Sequence, residues 1–143
     1  PNRLESWSAQ LDVDPTDLPG LIQQAQQHLE CVSSSQHGQW LLSDHKSAQC
    51  EWAISGLDHQ GRTRNAIIDR YFVVDQQRWI IDYKTATPNH ESLSKEQFLQ
   101  EQRERYRPQL ERYRQLVTQL HFDDPLPIRT ALYFTGLGEL HEQ

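Results

Sequence analysis

The sequence predicts an α/β fold in which a mixed β-sheet is flanked by helices. Residues 50–85 contain three apolar runs rich in β-branched and aromatic residues, and short polar breaks separate these runs. This pattern is typical of antiparallel strands joined by tight turns. Residues 93–120 then place apolar side chains at helical spacing, and a last apolar run follows at 128–134. A strand that follows a helical crossover usually lies parallel to an earlier strand, so the sheet should be mixed.

The composition indicates one polar domain. A chain of 143 residues is large enough to bury a core, and its hydrophobic fraction of 36% and mean hydropathy of −0.82 are low. No apolar run reaches the length of a membrane span, so we expect a cytoplasmic protein with no membrane partner. Cys31 and Cys50 lack metal-ligand spacing, which favours reduced thiols.

The net charge of −6 argues against a generally basic DNA-binding surface. It leaves open an acidic metal site that binds DNA through its cations. The chain begins at Pro1 and contains no methionine, so we expect an excised C-terminal piece of a longer protein. Within a single domain of residues 1–143, we expect an N-terminal helical part at 1–48 and the core at 49–143.

The N-terminal part contains one clear helical pattern. Apolar residues at helical spacing predict a helix over residues 18–29, which Thr16 or Asp17 would cap. The run Ser33–Ser35 predicts a loop. The short apolar segment at 38–42 predicts a strand or a turn.

The three runs in the middle of the chain predict a meander. The first strand is expected at 50–55, the second at about 62–74 and the third at 78–85. If the second turn is Gln76–Gln77, Asp75 pairs with Arg78.

This register places an unusual set of charges on one face. Tyr71 would lie opposite Asp82, and Asp69 opposite Lys84; because side chains alternate along a strand, Asp69, Asp82 and Lys84 then share a face. A four-residue turn preserves this arrangement, whereas a three-residue turn would separate the charges.

Two carboxylates on neighbouring strands repel each other unless a cation or a proton lies between them. Oxygen ligands of this kind suit Mg²⁺ or Mn²⁺. Lys84 would supply a donor for a phosphate oxygen or an attacking water, so the set suits metal-assisted hydrolysis of a phosphodiester. The alternative is an ordinary hairpin whose Asp and Lys side chains face solvent, because Asp-x-Lys alone is a weak motif.

The helical pattern at 93–120 contains Pro108, which should kink or split the helix. Gln109 and Tyr113 are four residues apart and should project from one side. The same stretch is rich in arginine, which indicates either a solvated face paired with glutamates or contacts to phosphates. The sequence Gly136–Gly138 is expected to end the last strand.

The order of these elements and motifs resembles the PD-(D/E)XK nuclease superfamily, which has a restriction-endonuclease-like core. Within it, the chain resembles the RecB-type exonuclease domain at the C-terminus of bacterial UvrD-type helicase–nucleases. The similarity spans about residues 50–140. It lies in four segments, namely residues 67–70, 79–85, 106–113 and 131–134.

The resemblance implies a role for each matching residue. Asp69 and Asp82 would ligate Mg²⁺ or Mn²⁺ together with the carbonyl of Tyr83, and Lys84 would orient or activate the attacking water. Gln109 and Tyr113, on the following helix, would be the DNA-positioning residues. The implied partners are DNA, ATP-dependent helicase domains of the same parent chain and a second helicase–nuclease subunit.

The chain departs from the family pattern at two places. Ala66 stands where the family often has glycine, three residues before the first aspartate. The family also has a metal-binding histidine on a helix before the meander, and we expect that helix upstream of Pro1, with His28 as the fallback candidate. We therefore expect a metal-dependent DNA exonuclease domain that acts in recombination and repair. The alternative is a nuclease-like domain that no longer cleaves and guides DNA or binds a protein.

Overall fold

A computed structural model describes residues 13–14, 16–88 and 94–143. In this part of the chain three helices flank one five-stranded sheet. The elements are α1 (Leu18–Ser34), α2 (Gln36–Leu42), β1 (Lys46–Leu57), β2 (Thr63–Val74), β3 (Gln77–Lys84), α3 (Lys95–Leu120), β4 (Ile128–Phe134) and β5 (Glu139–Glu142). No helix among them combines the length and apolar composition of a membrane span.

The strands lie in the sheet in chain order, from β1 to β5. Strands β3 and β4 are parallel, and the other neighbours are antiparallel. The expected mixed sheet is therefore confirmed, as is the parallel strand after the crossover through α3. Strand β5 was not predicted. It follows a turn in which Gly138 has a φ of 66°, and its four mostly polar residues carry no apolar pattern.

The N-terminal helices differ from the prediction. Helix α1 continues to Ser34, so the predicted loop at Ser33–Ser35 is wrong. Ser35 alone separates the two helices: its backbone is extended, and its hydroxyl accepts a hydrogen bond from Gly38 N at 3.0 Å. This bond caps α2, which occupies the segment predicted as a strand or turn.

Helix α3 is not split at Pro108. A proline inside a helix costs about 3 kcal/mol, because it removes a hydrogen bond and crowds the preceding turn. Two features of the helix offset this cost. Ser94 and Gln97 form a reciprocal capping box at the N-terminus. Apolar side chains on both sides of the proline are buried against the sheet, namely Phe98, Leu110, Tyr113, Leu116 and Val117.

The sheet separates two hydrophobic clusters. The face covered by α3, here called the helix face, has a core of Ile54, Ile68, Tyr71, Ile80, Phe98, Leu110, Tyr113, Leu116, Val117, Leu132 and Phe134. The opposite face has a core of Leu41, Phe72, Trp79, Ile81, Ala131 and Tyr133. Because apolar clusters cover both faces of β3 and β4, the middle of the sheet is buried on both sides.

A buried arginine fixes the loop after α3 to the sheet. The side chain of Arg78 is only 4% exposed, and its guanidinium donates to the Tyr71 hydroxyl at 2.7 Å and to Asp124 Oδ2 at 2.7 Å. The ring of His121 lies nearly parallel to that of Tyr71, 6.2 Å away. Burial lowers the pKa of His121, and the nearby charge of Arg78 lowers it further.

We expect the His121 site to make the domain less stable as the pH falls below about 6.5, the ordinary histidine pKa. Because the folded pKa is depressed, the stabilising contribution is complete above the unfolded value and is lost as the pH falls through the folded value. Urea unfolding at pH 7.5 and pH 5.5 measures this effect. His121→Phe should show a shallower loss of stability over this range, and an identical pH dependence in both proteins would contradict the assignment.

Candidate active site

The turn between β2 and β3 is Asp75–Gln76, and the prediction of Gln76–Gln77 is wrong. Both turn residues have positive φ values, 50° and 58°. Two successive left-handed residues are typical of the tightest hairpins, and aspartate tolerates this conformation better than most residues. Val74 consequently pairs with Gln77.

The corrected turn moves the register by two residues. Tyr71 lies opposite Ile80 rather than Asp82, and the paired register ends at Arg70 opposite Ile81. Asp69 and Asp82 therefore lie on adjacent strands, each one residue beyond that last pair.

Strand β2 is irregular at Asp69. Ile68 and Tyr71 both belong to the helix-face core, whereas strict alternation would place them on opposite faces. On β1, Glu51 faces this point between the pairs Cys50–Arg70 and Trp52–Ile68, and its φ is 48°. At this irregularity the carboxylate Oδ2 of Asp69 accepts a hydrogen bond from the backbone N–H of Tyr83 at 2.7 Å. A side chain therefore bonds a strand backbone where a ladder bond would normally form.

Asp82 is a buried carboxylate at the centre of the site, with a side chain 4% exposed. Gln109 Nε2 donates to its Oδ1 at 3.0 Å. The ammonium of Lys84 forms an ion pair with Oδ2, but Oδ2 accepts no well-aligned hydrogen bond from the described residues. Burial raises the pKa of Asp82, the charge of Asp69 raises it further, and Lys84 opposes both.

Lys84 lies between a carboxylate and an aromatic ring. Its Nζ contacts Asp82, and it lies 3.5 Å from the centroid of the Tyr106 ring. The face of an aromatic ring attracts a cation, and this attraction is stronger where water is excluded. Tyr106 was not predicted as a site residue. Its position three residues before Gln109, nearly one helical turn, was the signal that could have identified it.

Gln109 and Tyr113 project from the same side of α3, as predicted, and both reach the site. The amide of Gln109 donates one hydrogen to Asp82 and the other to the Tyr113 hydroxyl, at 2.6 Å. Burial raises the pKa of Tyr113, so its hydroxyl stays protonated at neutral pH. The helix therefore fixes the orientation of the Asp82 carboxylate.

His28 lies near the end of β3 but does not join the carboxylates. Its Nδ1 is 2.8 Å from Thr135 Oγ1, and the backbone N–H of Thr135 donates to the Lys84 carbonyl at 3.0 Å. Among the described residues, no three His, Cys, Asp or Glu side chains come together as metal ligands. The geometry thus gives no support to His28 as the missing ligand.

The donor set fits a hard divalent cation. Asp69 and Asp82 supply carboxylates on adjacent strands, and the Asp82 carboxylate is buried with the single ammonium of Lys84 against its Oδ2. Mg²⁺ typically binds one or two carboxylates and keeps several water molecules, so it does not require a third protein side chain. No model of a protein family matches this chain, and no curated protein matches it significantly.

Proposed function

We propose that this chain is a Mg²⁺- or Mn²⁺-dependent DNA exonuclease domain. The parent protein would be a bacterial UvrD-type helicase–nuclease, with ATP-dependent helicase domains, that processes DNA ends in recombination and repair. The observation that carries the proposal is the buried Asp82–Lys84 ion pair beside Asp69, whose carboxylate accepts from the backbone N–H of Tyr83.

Burial of Asp82 is the feature that an ordinary surface hairpin does not explain. Lys84 supplies one compensating charge for two carboxylates, so a second cation would further favour their charged forms. Buried carboxylates with perturbed pKa values are concentrated at functional sites. The nearby α3 residues hold Asp82 in one orientation, which is the preorganisation that a metal ligand needs.

The positions of the side chains support one role for each residue. Asp69, Asp82 and the Tyr83 carbonyl would hold the metal, which when bound polarises the scissile phosphate and lowers the pKa of water. Lys84 would then donate to a phosphate oxygen or hold the attacking water. Tyr106 keeps the ammonium of Lys84 within the site, and Gln109 and Tyr113 keep the Asp82 carboxylate directed towards it.

One observation favours the alternative of a nuclease-like domain that binds DNA without cleaving it. The described residues contribute only two carboxylates, and Lys84 lies against one of them. A lysine in this position competes with a weakly held cation.

Lys84→Met tests the proposal, because it removes the ammonium but retains a long side chain. With labelled linear DNA and Mg²⁺, we expect the cleavage rate to fall by about 10²–10³-fold, as when one preorganised donor is removed from a reacting centre. Titration calorimetry should show that Mn²⁺ binding persists.

Lys46→Met is the matched control, because Lys46 is an exposed lysine at the start of the same sheet. This variant should cleave at the wild-type rate. If Lys84→Met also cleaved at that rate, the chemistry assigned to Lys84 would be wrong. If the wild-type chain bound DNA and Mn²⁺ but did not cleave, the non-cleaving alternative would be correct.

A further inference from the structure

A second cleft lies beside the candidate site, between the turn that joins β1 to β2 and helix α3. Its volume is about 440 Å³. Arginines enter it from both walls: Arg62 and Arg64 come from the strand side, and Arg112 comes from α3. Two carboxylates, Asp58 and Glu111, also line the cleft. Three arginines against two carboxylates leave one positive charge in excess, in a chain with a net charge of −6.

Asp58 fixes the two arginines on the strand side. Its Oδ2 accepts from Arg62 Nε at 3.0 Å and from Arg64 Nε at 2.9 Å. Its other oxygen accepts from the backbone N–H groups of Arg62 and Gln60, both at 2.9 Å. The bond from the Arg62 backbone is the main reason that the pKa of Asp58 is well below its ordinary value.

Both arginines contact the Asp58 carboxylate through Nε. A guanidinium held at Nε keeps its two terminal nitrogens as donors in a fixed fork, which matches the oxygens of a phosphate. The side chains of Arg62 and Arg64 remain 59% and 47% exposed. Asp58 therefore orients the two arginines without covering their terminal nitrogens.

The cleft and the candidate site are joined by α3 and β2. Arg112 follows Gln109 by three residues, an axial rise of about 4.5 Å. Arg64 precedes Asp69 by five residues, which is about 17 Å along a strand. A stacked nucleic-acid strand rises about 3.4 Å for each phosphate, so these two spans correspond to roughly one to five nucleotides.

We propose that this cleft binds the phosphodiester backbone of the DNA strand within about five nucleotides of the scissile phosphate. The identity of the ligand rests on the function proposed above. Arg62 and Arg64 bind the phosphate oxygens through their terminal nitrogens, and Arg112 closes the cleft from the helix side. Because these contacts reach the backbone only, they add affinity without selecting a base sequence.

The test measures binding of fluorescent single-stranded oligonucleotides of 4 and 12 nucleotides to the chain in EDTA. For the longer oligonucleotide, the slope of log K against log salt should decrease by about 0.7 for each phosphate contact removed. We expect this change in Arg64→Gln and in Arg112→Gln, and a change in the same direction with the shorter oligonucleotide, which can occupy the cleft alone. Arg112 makes no contact with Asp58, so its variant remains informative if Arg64→Gln disturbs the turn.

Arg103→Gln is the matched control, because it removes the same charge from the other side of α3, where Arg103 contacts the Glu142 carbonyl. If Arg64→Gln and Arg112→Gln bind with the same slope as Arg103→Gln, the cleft proposal is overturned, even if the chain cleaves DNA. If the two variants show the expected change in a chain that does not cleave, the cleft proposal stands and the proposed hydrolysis fails.

Discussion

Asp82→Asn is expected to abolish cleavage and, at the same time, to stabilise the metal-free domain. The wild-type carboxylate is buried, and both this burial and the charge of Asp69 raise the pKa of Asp82. The folded protein without metal therefore disfavours the charged form, in spite of the ion pair with Lys84. Asparagine has almost the same shape without the charge, and it can still accept the hydrogen bond from Gln109.

The two effects of Asp82→Asn have different sizes. Loss of a metal ligand should reduce the cleavage rate by about 10³-fold or more, because the metal provides several kcal/mol of transition-state stabilisation. A gain of about 1 kcal/mol in the free energy of unfolding would raise the melting temperature by roughly 2–4 °C in a domain of this size. Functional sites commonly show this conflict between stability and activity.

Scanning calorimetry with EDTA and with Mn²⁺ separates these effects. In EDTA the Asp82→Asn domain should melt above the wild type. Added Mn²⁺ should raise the melting temperature of the wild type and leave that of the variant unchanged, because a ligand stabilises only the state that binds it.

Asp75→Asn is a suitable control for Asp82→Asn. Asp75 is an exposed aspartate of the same hairpin, and asparagine tolerates its φ of 50°. This variant should respond to Mn²⁺ as the wild type does. A lower melting temperature of Asp82→Asn in EDTA would mean that the Lys84 ion pair outweighs the burial of the charge.

The site could be predicted to the extent that it depends on the local pattern of strands and helices. An error of two residues in the turn still left Asp69 on β2 and Asp82 and Lys84 on β3, which are adjacent strands. Alternation does not fix the face of Asp69, because β2 is irregular there. The spacing of Gln109 and Tyr113 was sufficient, because helix geometry fixes which residues share a side.

The remaining features depend on contacts that no local pattern carries. The apolar residues of α2 fit a strand as well as a helix, and the hydroxyl of Ser35 decides between them by capping the helix. The irregularity at Asp69 is a property of two paired strands. The contact between Lys84 and Tyr106 likewise joins residues that are distant in the sequence.

Arg78→Met is expected to lower the free energy of unfolding by about 2–3 kcal/mol. Methionine preserves much of the packing of the arginine stem, so the loss arises from the guanidinium. The hydroxyl of Tyr71, a buried residue, would lose its donor, and an unsatisfied buried group costs about 1–3 kcal/mol. The bond to Asp124 should add less, because that side chain is 67% exposed.

A double-mutant cycle distinguishes these two contributions of Arg78. Urea unfolding of Arg78→Met, Tyr71→Phe and the double variant should show that the double variant is less destabilised than the sum of the single ones. Removing the Tyr71 hydroxyl eliminates the group that Arg78→Met leaves unsatisfied, so the two changes are coupled.

Asp124→Asn should cost less than about 1 kcal/mol. Since Arg78 lies at the start of β3 and the candidate site at its end, the stabilisation by Mn²⁺ should be retained in Arg78→Met. Equal, small losses in Arg78→Met and Asp124→Asn would show that the buried bond to Tyr71 contributes little.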